Sequence, residues 1–510
     1  MKKAILILSM VVLALASQAQ AIYNNGARIV STTGSYWVVD NSDFALTSAS
    51  ATNLAQFANL TITGDASLTL GSAATPAYLT VSGTLANNSG NDGLVIPSGS
   101  SLIESSSAAA TVSRAIPDNE WHLISAPTSN ATAGIFLGHY LQKHTESTNA
   151  YTDITDPGEE LSPMKGYAVW GDLNPAEVTF AGPVNTGAKS FSTTAVTYTT
   201  TPEIDGGWNL VGNPYPSSID WDAASGWTKT NVNSATYCHV DGSTWATWVL
   251  GTPGVGTNSG SRYIAPGQGF FVQATATGSL GMTNAVRVHN ATAFFKNTEV
   301  VPNLIRLEVS GNGYKDEAVF RFLNEASAEF DGAYDAHKLF GDVPEAPQIY
   351  TLGSSELSIN SMPETSVVPV GVKAGNSGTF VITATEVNDM QFASLEDTRT
   401  GIFTDITQKP YSFSYTSGEA ANRFKLHFSA LSVEDDEQSS LSIYSYQKTV
   451  YVNFNNHHSG DIYIYNMAGQ LITSRETASG LVNIGLNAPG VYIVKVVSEK
   501  EITTTKVYIQ

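Results

Sequence analysis

Apolar positions along this chain recur at every second residue or in short runs, the period of strands. "LIRLEVS" sets Ile305, Leu307 and Val309 against Arg306 and Glu308. After a turn at Gly311 to Gly313, "EAVFRF" places Ala318, Phe320 and Phe322 on one face, so the pair predicts an antiparallel hairpin. Further strands at "SELSI", "TSVVPVGV", "GTFVITATEV", "YSFSY" and "RFKLHFSAL" complete a β-sandwich over residues 300–432. "DGAYDAHKLF" at 331–340 is the one helical candidate in that stretch.

Upstream the pattern changes. In residues 22–115 the short pieces "LTI", "LTL", "LTV" and "LVI" begin at Leu60, Leu68, Leu79 and Leu94, between Gly, Ser and Asn turns. Stacked rungs of a short parallel β-solenoid would bury such faces on one another, with a small sandwich as the alternative. Residues 116–299 hold an internal repeat. "WHLISAP" at Trp121 to Pro127 aligns without a gap with "WNLVGNP" at Trp208 to Pro214, and "SPMKGYAV" at Ser162 to Val169 with "APGQGFFV" at Ala265 to Val272. Two matched anchors in the same order predict a duplicated β-sandwich region. The acidic "VEDDEQSS" at 433–440 reads as a linker before a last set of strands at 441–510. The expected fold is all-β and multidomain: serial β-sandwich modules, a short N-terminal solenoid and a small C-terminal sandwich.

Composition refines this picture. Lys2 and Lys3 precede a thirteen-residue apolar run at 4–16 and an Ala19-Gln20-Ala21 triplet, the layout of a signal peptide over residues 1–21. That run is short of the roughly 20 residues a membrane span needs, and no later stretch reaches that length. Export is expected. The single cysteine, Cys238, permits no intramolecular disulfide and reads as an unreactive, half-buried thiol. Net charge is −20, yet from Glu437 onward five acids meet five bases, so the body carries the whole excess. Such a body repels nucleic acid and points to solubility or divalent cations.

Catalytic motifs are missing. There is no G-x-S-x-G elbow, H-E-x-x-H, phosphate loop or dinucleotide fingerprint, so no enzyme and no catalytic residues are expected. The one adjacent histidine pair, His457 and His458, lies on a strand or turn where neighbours point apart and make poor co-ligands, so no metal site is expected. Two carboxylate pairs stand out, Glu159-Glu160 and Asp220 with Asp222 around Trp221. If extended, Asp220 and Asp222 share a face; capping a turn is the other use. "NNSGNDG" at 87–93 offers oxygens to calcium or forms a plain solvated turn, and no other cofactor is indicated. Five of the eight tryptophans lie between Trp208 and Trp248. In "STWATWVLG" alternation buries Trp248 and exposes Trp245, and an exposed Trp beside carboxylates stacks on sugar rings. Trp245, Trp221, Asp220 and Asp222 are therefore the candidate glycan contacts, with core packing as the alternative role of the tryptophans.

The tail carries the most specific signal. "IYIYNMAGQLI", "LNAPGVYIVKV" and the terminal "KVYIQ", in this order, resemble the type A C-terminal sorting domain of the type IX secretion system. The resemblance implies an Ig-like sandwich, passage through the periplasm, and recognition by the outer-membrane type IX translocon. It further implies a sortase-like peptidase as partner, with release or attachment to surface lipopolysaccharide. By motif position it implies Gly469, Gly490, Tyr492, Val494, Lys495 and Lys506 as sorting-signal or fold-defining residues. The body, through "GWNLVGNPYPSSIDWD", "APGQGFFVQA", "YDAHKLFG" and "LEDTRTGIFTDI", resembles uncharacterised β-sandwich stretches found before such domains. The expected function is that of an exported, non-catalytic surface protein of the adhesion or extracellular-matrix type. The alternative is a carbohydrate-binding or carbohydrate-active protein using residues 208–248.

Overall fold

The structure, a computed structural model, describes residues 36–428 and 441–509, apart from 42, 47–54, 118, 172–175, 192–195, 201–205, 252, 291–299, 391, 447, 455–458 and 499–501. The signal peptide at 1–21, the acidic linker at 433–440 and His457-His458 lie outside the described residues. The chain is all-β, and among the described residues no helix is long and apolar enough to cross a membrane.

Residues 36–115 form the solenoid. Three ladders run in parallel: Tyr36–Asp40 on Asn59–Thr63 on Leu85–Asn87; Phe44–Leu46 on Leu68–Leu70 on Leu94–Ile96; and Ala55–Phe57 on Tyr78–Val81 on Ser101–Ile103. Each coil advances by 23 residues (Tyr36 to Asn59) to 26 (Leu68 to Leu94), because loops absorb the difference between coils. The four repeated pieces are unevenly spaced in the sequence because they fall on three different ladders, Leu60 on the first, Leu68 and Leu94 on the second and Leu79 on the third. Leu60, Leu68, Leu79 and Leu94, the first residues of the four repeated pieces, are all buried inside the coil. The growing end is closed by Ala109–Ala115, which lies parallel to Leu94–Ile96 and antiparallel to Glu177–Pro183. An unpaired ladder end would template further strands, so covering it keeps the solenoid short. One hydrophobic cluster runs from Leu46 to Val184 through both segments.

The repeat is structural as well as sequential. Glu120–Ile124 pairs with Tyr167–Gly171, and Trp208–Gly212 pairs with the long strand Gly269–Met282. The registers are equivalent: Trp121 faces Trp170 and Leu123 faces Ala168, as Trp208 faces Gln273 and Leu210 faces Phe271. The copies also exchange bonds reciprocally. The Ser125 N–H donates to the Gly267 carbonyl at 2.8 Å, and the Gly212 N–H to the Met164 carbonyl at 2.7 Å. Ile124 bridges Gln268 as Val211 bridges Lys165. Met164 and Gly267 sit at equivalent turns with φ of +63° and +62°, the left-handed region that favours glycine. A pseudo-two-fold relation therefore joins the copies.

Residues 304–427 make one continuous sheet that winds over its own core of Ile305, Phe320, Val370, Phe380, Phe413 and Leu426, among others. The expected hairpin is present, Leu304–Gly311 against Tyr314–Phe322, closed by the two residues Asn312 and Gly313. Its second face differs from expectation. Arg306, placed in solvent by alternation, is buried, donating to the Gly256 carbonyl and pairing with Glu317 and Glu386 at 3.1 Å each. Leu304, Val319, Ala336 and Ile359 join Trp208, Tyr237, Val249 and Phe271 in a cluster spanning this unit and the repeat. Beside it Asp316 and Lys338, with 0% and 2% of their side chains exposed, form an ion pair whose carboxylate also accepts from Thr244, Asn258 and the Ile349 N–H. The helical expectation at 331–340 is corrected. The Asp335 carboxylate accepts the Asp331 and Ser361 N–H groups, fixing a turn followed by the two-residue strand Ala336–His337. Local bonding of this kind competes with helix.

The tail is a two-sheet antiparallel sandwich. Leu441–Tyr446, Thr449–Phe454 and Leu481–Gly485 form one sheet; Leu471–Ser479, Ser459–Asn466, Gly490–Ser498 and Ile502–Ile509 form the other. Its core, from Ile443 to Ile509, is its own.

Candidate functional site

The Asp-Trp-Asp segment does not stay extended. Strand Ser218–Asp220 ends at Asp220, whose Oδ1 accepts the Asp222 N–H at 2.9 Å and so closes a turn. The premise of a shared carboxylate face is thereby corrected. Asp220 is held by Arg262, Nε to Oδ1 and Nη2 to Oδ2 at 2.7 Å each, a fork-to-fork pair. Asp222 accepts the Trp248 indole N–H at 3.0 Å, while its Oδ2 is enclosed with no hydrogen bond and lies 3.9 Å from Arg262 Nε. Burial pushes the Asp222 carboxyl up to about 6. Lys229 stands 3.8 Å over the Trp221 ring and donates to the Trp221 carbonyl; burial brings its ammonium down to about 8.

Trp221 is wholly buried, packed edge-on against Trp227 and Phe270, with its indole N–H given to the Ser234 carbonyl at 2.8 Å. It has no face left for a sugar, which corrects its assignment as a glycan contact. Trp245 is half-buried where alternation predicts exposure. Its ring lies edge-on to His239 at 5.2 Å and to Phe271 at 5.8 Å. Strand Trp245–Val249 has both faces covered, with Thr247 as buried as Trp248, so alternation identifies the two faces but not what lies against each.

The remaining polar candidates hold strands and turns. Glu159 pairs with Lys143 at 2.9 Å, and the backbone of the exposed Glu160 forms an isolated antiparallel bridge with Thr132. In the 87–93 turn the Asn87 amide donates to the Gly90 and Ala109 carbonyls, and Asp92 accepts from Thr111. Cys238 is half-buried, and burial pushes its thiol up to about 12, as expected for an unreactive sulfur. Sequence reasoning did not find the open cleft of about 670 Å³ at one pole of the third unit. Phe322, Phe392 and Phe428 come together there with Glu325, Glu364 and Asp389 from loops far apart in the chain, and no local pattern marks such a gathering.

In the tail, the residues singled out by motif divide by direction. Gly469, at φ +79°, sits in a turn organised by Asn466, whose Oδ1 accepts the Ala468 and Gln470 N–H groups. Gly490 holds φ +149° at the start of its strand. Tyr492 and Val494 point inward, and the Tyr492 hydroxyl donates to the Ala488 carbonyl at 2.9 Å. These four shape the domain. Lys495 and Lys506 lie on the outer side of their sheet, where a partner can reach them.

The family described as "Domain of unknown function (DUF8693)" matches residues 27–428, and the one described as "Secretion system C-terminal sorting domain" matches residues 446–510. No curated protein matches the chain. Among solved structures, "The Bacillus anthracis TIE protein" is similar over 77% of this chain and 66% of its own, at 10% identity and a TM-score of 0.10. This chain thus spans slightly under two thirds of that structure, and the likeness carries no argument.

Proposed function

The chain belongs to the DUF8693 family over most of its length and ends in a secretion-system sorting domain, and from that premise we propose an exported, non-catalytic surface protein of the adhesion or extracellular-matrix type. The tail directs it to the cell surface or extracellular space through the type IX system.

The observation that best supports a structural role is how the body uses its ionic side chains. Asp316 and Lys338 tie the repeat to the third unit. Arg287 reaches the Leu102 and Glu104 carbonyls of the solenoid, and Ser217 of the repeat. Asp397 is gripped by Arg423 and Tyr411. Charges spent in this way stiffen a scaffold. A deletion strain is expected to attach less well to surfaces and to its neighbours, with attachment restored by the full-length gene. Purified protein is expected to leave a panel of polysaccharides intact and a glycan array blank. Hydrolysis lost in Asp222→Asn, or array binding lost in Trp245→Ala, overturns the non-catalytic or the non-glycan part respectively.

A further inference from the structure

We propose that the outer face of the three-stranded sheet in the tail is the surface on which the secretion machinery docks. The proposal rests on reading 446–510 as a sorting domain, and it assigns the contact to a face that no motif residue occupies.

Strict alternation sends Ile443, Val450, Val452, Phe454, Val482 and Ile484 into the core of this sandwich. The opposite set therefore faces out, in cross-strand rows of Ser442, Asn453 and Leu481, then Tyr444, Tyr451 and Asn483, then Tyr446 and Thr449. None of these eight residues is charged. A solvated sheet face ordinarily carries charges, and the other sheet of this domain does, with Lys495 and Lys506 on its outer side. Instead, Tyr444 and Tyr451 stack in parallel at 4.9 Å with 3° between their planes, and Tyr446 and Leu481 are 61% and 56% exposed. Tyrosine offers a large, rigid, amphipathic contact at little entropy cost, and the cores of recognition surfaces are rich in it and depleted of charge. The face is also pre-formed, since its backbone is fixed by two ladders in register.

The occupant follows from the domain and from charge. A sorting domain acts by being recognised whatever cargo precedes it, so its contact surface must lie on the domain itself. The cargo is a poor occupant, because the acidic body has no matching charge on this face. A second copy is disfavoured as well, since each chain carries a net charge of −20.

The test uses the full chain in the producing bacterium. One variant combines Tyr444→Ser, Tyr446→Ser and Tyr451→Ser; a control combines Arg475→Ser and Glu476→Ser, both exposed on the edge strand of the other sheet. The tyrosine variant is expected to fall about tenfold in the surface and medium fractions and to accumulate in the periplasm, as for loss of an interface anchor. Its tail should still melt cooperatively when the chain is purified, and the control should be exported normally. Tyr446→Ser alone, at an exposed strand end, keeps the test valid if the triple variant does not fold. Normal export of the tyrosine variants, or a block in the control only, overturns the proposal. A loss of dimers on light scattering with export unchanged overturns it in favour of a second copy. Normal export of a chain truncated after Leu431 removes the sorting reading itself, and the docking face with it.

Discussion

Single residues differ most in the price of burial. Lys338 and Asp316 are shut away from water, so Lys338→Met leaves a buried carboxylate without its cation. The variant is expected to lose about 3–5 kcal/mol in urea unfolding. Lys315 pairs with Glu308 at 3.2 Å but is 71% exposed; Lys315→Ala should cost under about 1 kcal/mol in the same measurement. Two titrations have opposite signs. His289 bridges Ser101 and Thr80, and burial followed by the nearby Arg287 charge brings its imidazole down to about 4. Its contribution is present above the ordinary value of 6.5 and is lost as pH falls through 4. Asp222 is raised instead, so its contribution is present below the ordinary 3.8 and is lost as pH rises through 6. Between those limits the two slopes oppose each other. Between about pH 4 and 6, the melting temperature of His289→Gln should fall more steeply with rising pH than that of the parent, and that of Asp222→Asn should rise more steeply.

Elements record how the repeat closes. A Cβ on Gly166 would come within 2.5 Å of the Val211 carbonyl oxygen, and one on Gly269 within 2.9 Å of the Ile124 nitrogen. Gly166→Ala and Gly269→Ala are expected to destabilise by similar amounts, about 1–3 kcal/mol each, in thermal melts. A tenfold disparity in equilibrium constant between them would speak against equivalence of the copies. Both anchors were legible as strands because Trp-x-Leu-Val and Gly-aromatic-x-Val carry their signals locally. So was the 304–322 hairpin, whose period and two-residue turn lie within twenty residues. The burial of Arg306 was not legible, since alternation marks a polar side without saying what is laid against it. The same limit hid the half-burial of Trp245 and the enclosure of Trp221. At 331–340 the composition favoured helix, and a single carboxylate, Asp335, outweighed it by taking two backbone donors. In the tail the inward residues were readable as glycines and apolar positions. The tyrosine face was present in "SIYSY" and "TVYVN", but only pairing in register shows that the rings meet.

Across the molecule, cores decide what melts together. One hydrophobic cluster joins the solenoid to the first copy of the repeat, and another joins the repeat to the third unit, whereas the tail keeps its own. Calorimetry of the full chain is expected to show a body transition and a separate tail transition. Truncation after Leu431 should delete the second without shifting the first. A fragment of residues 300–428 would expose Leu304, Val319 and Ile359, at about 2 kcal/mol each. That sum is comparable to the whole stability of an ordinary domain, so the fragment should be insoluble or unfolded. The crossed bonds of the repeat have a further consequence during synthesis. Ser125 has no acceptor until Gly267 has left the ribosome, and the turn at Met164 waits in the same way for Gly212. The bond that joins the first anchor to the second copy is therefore completed well over a hundred residues after that anchor is made, so the contact between the copies closes late in synthesis.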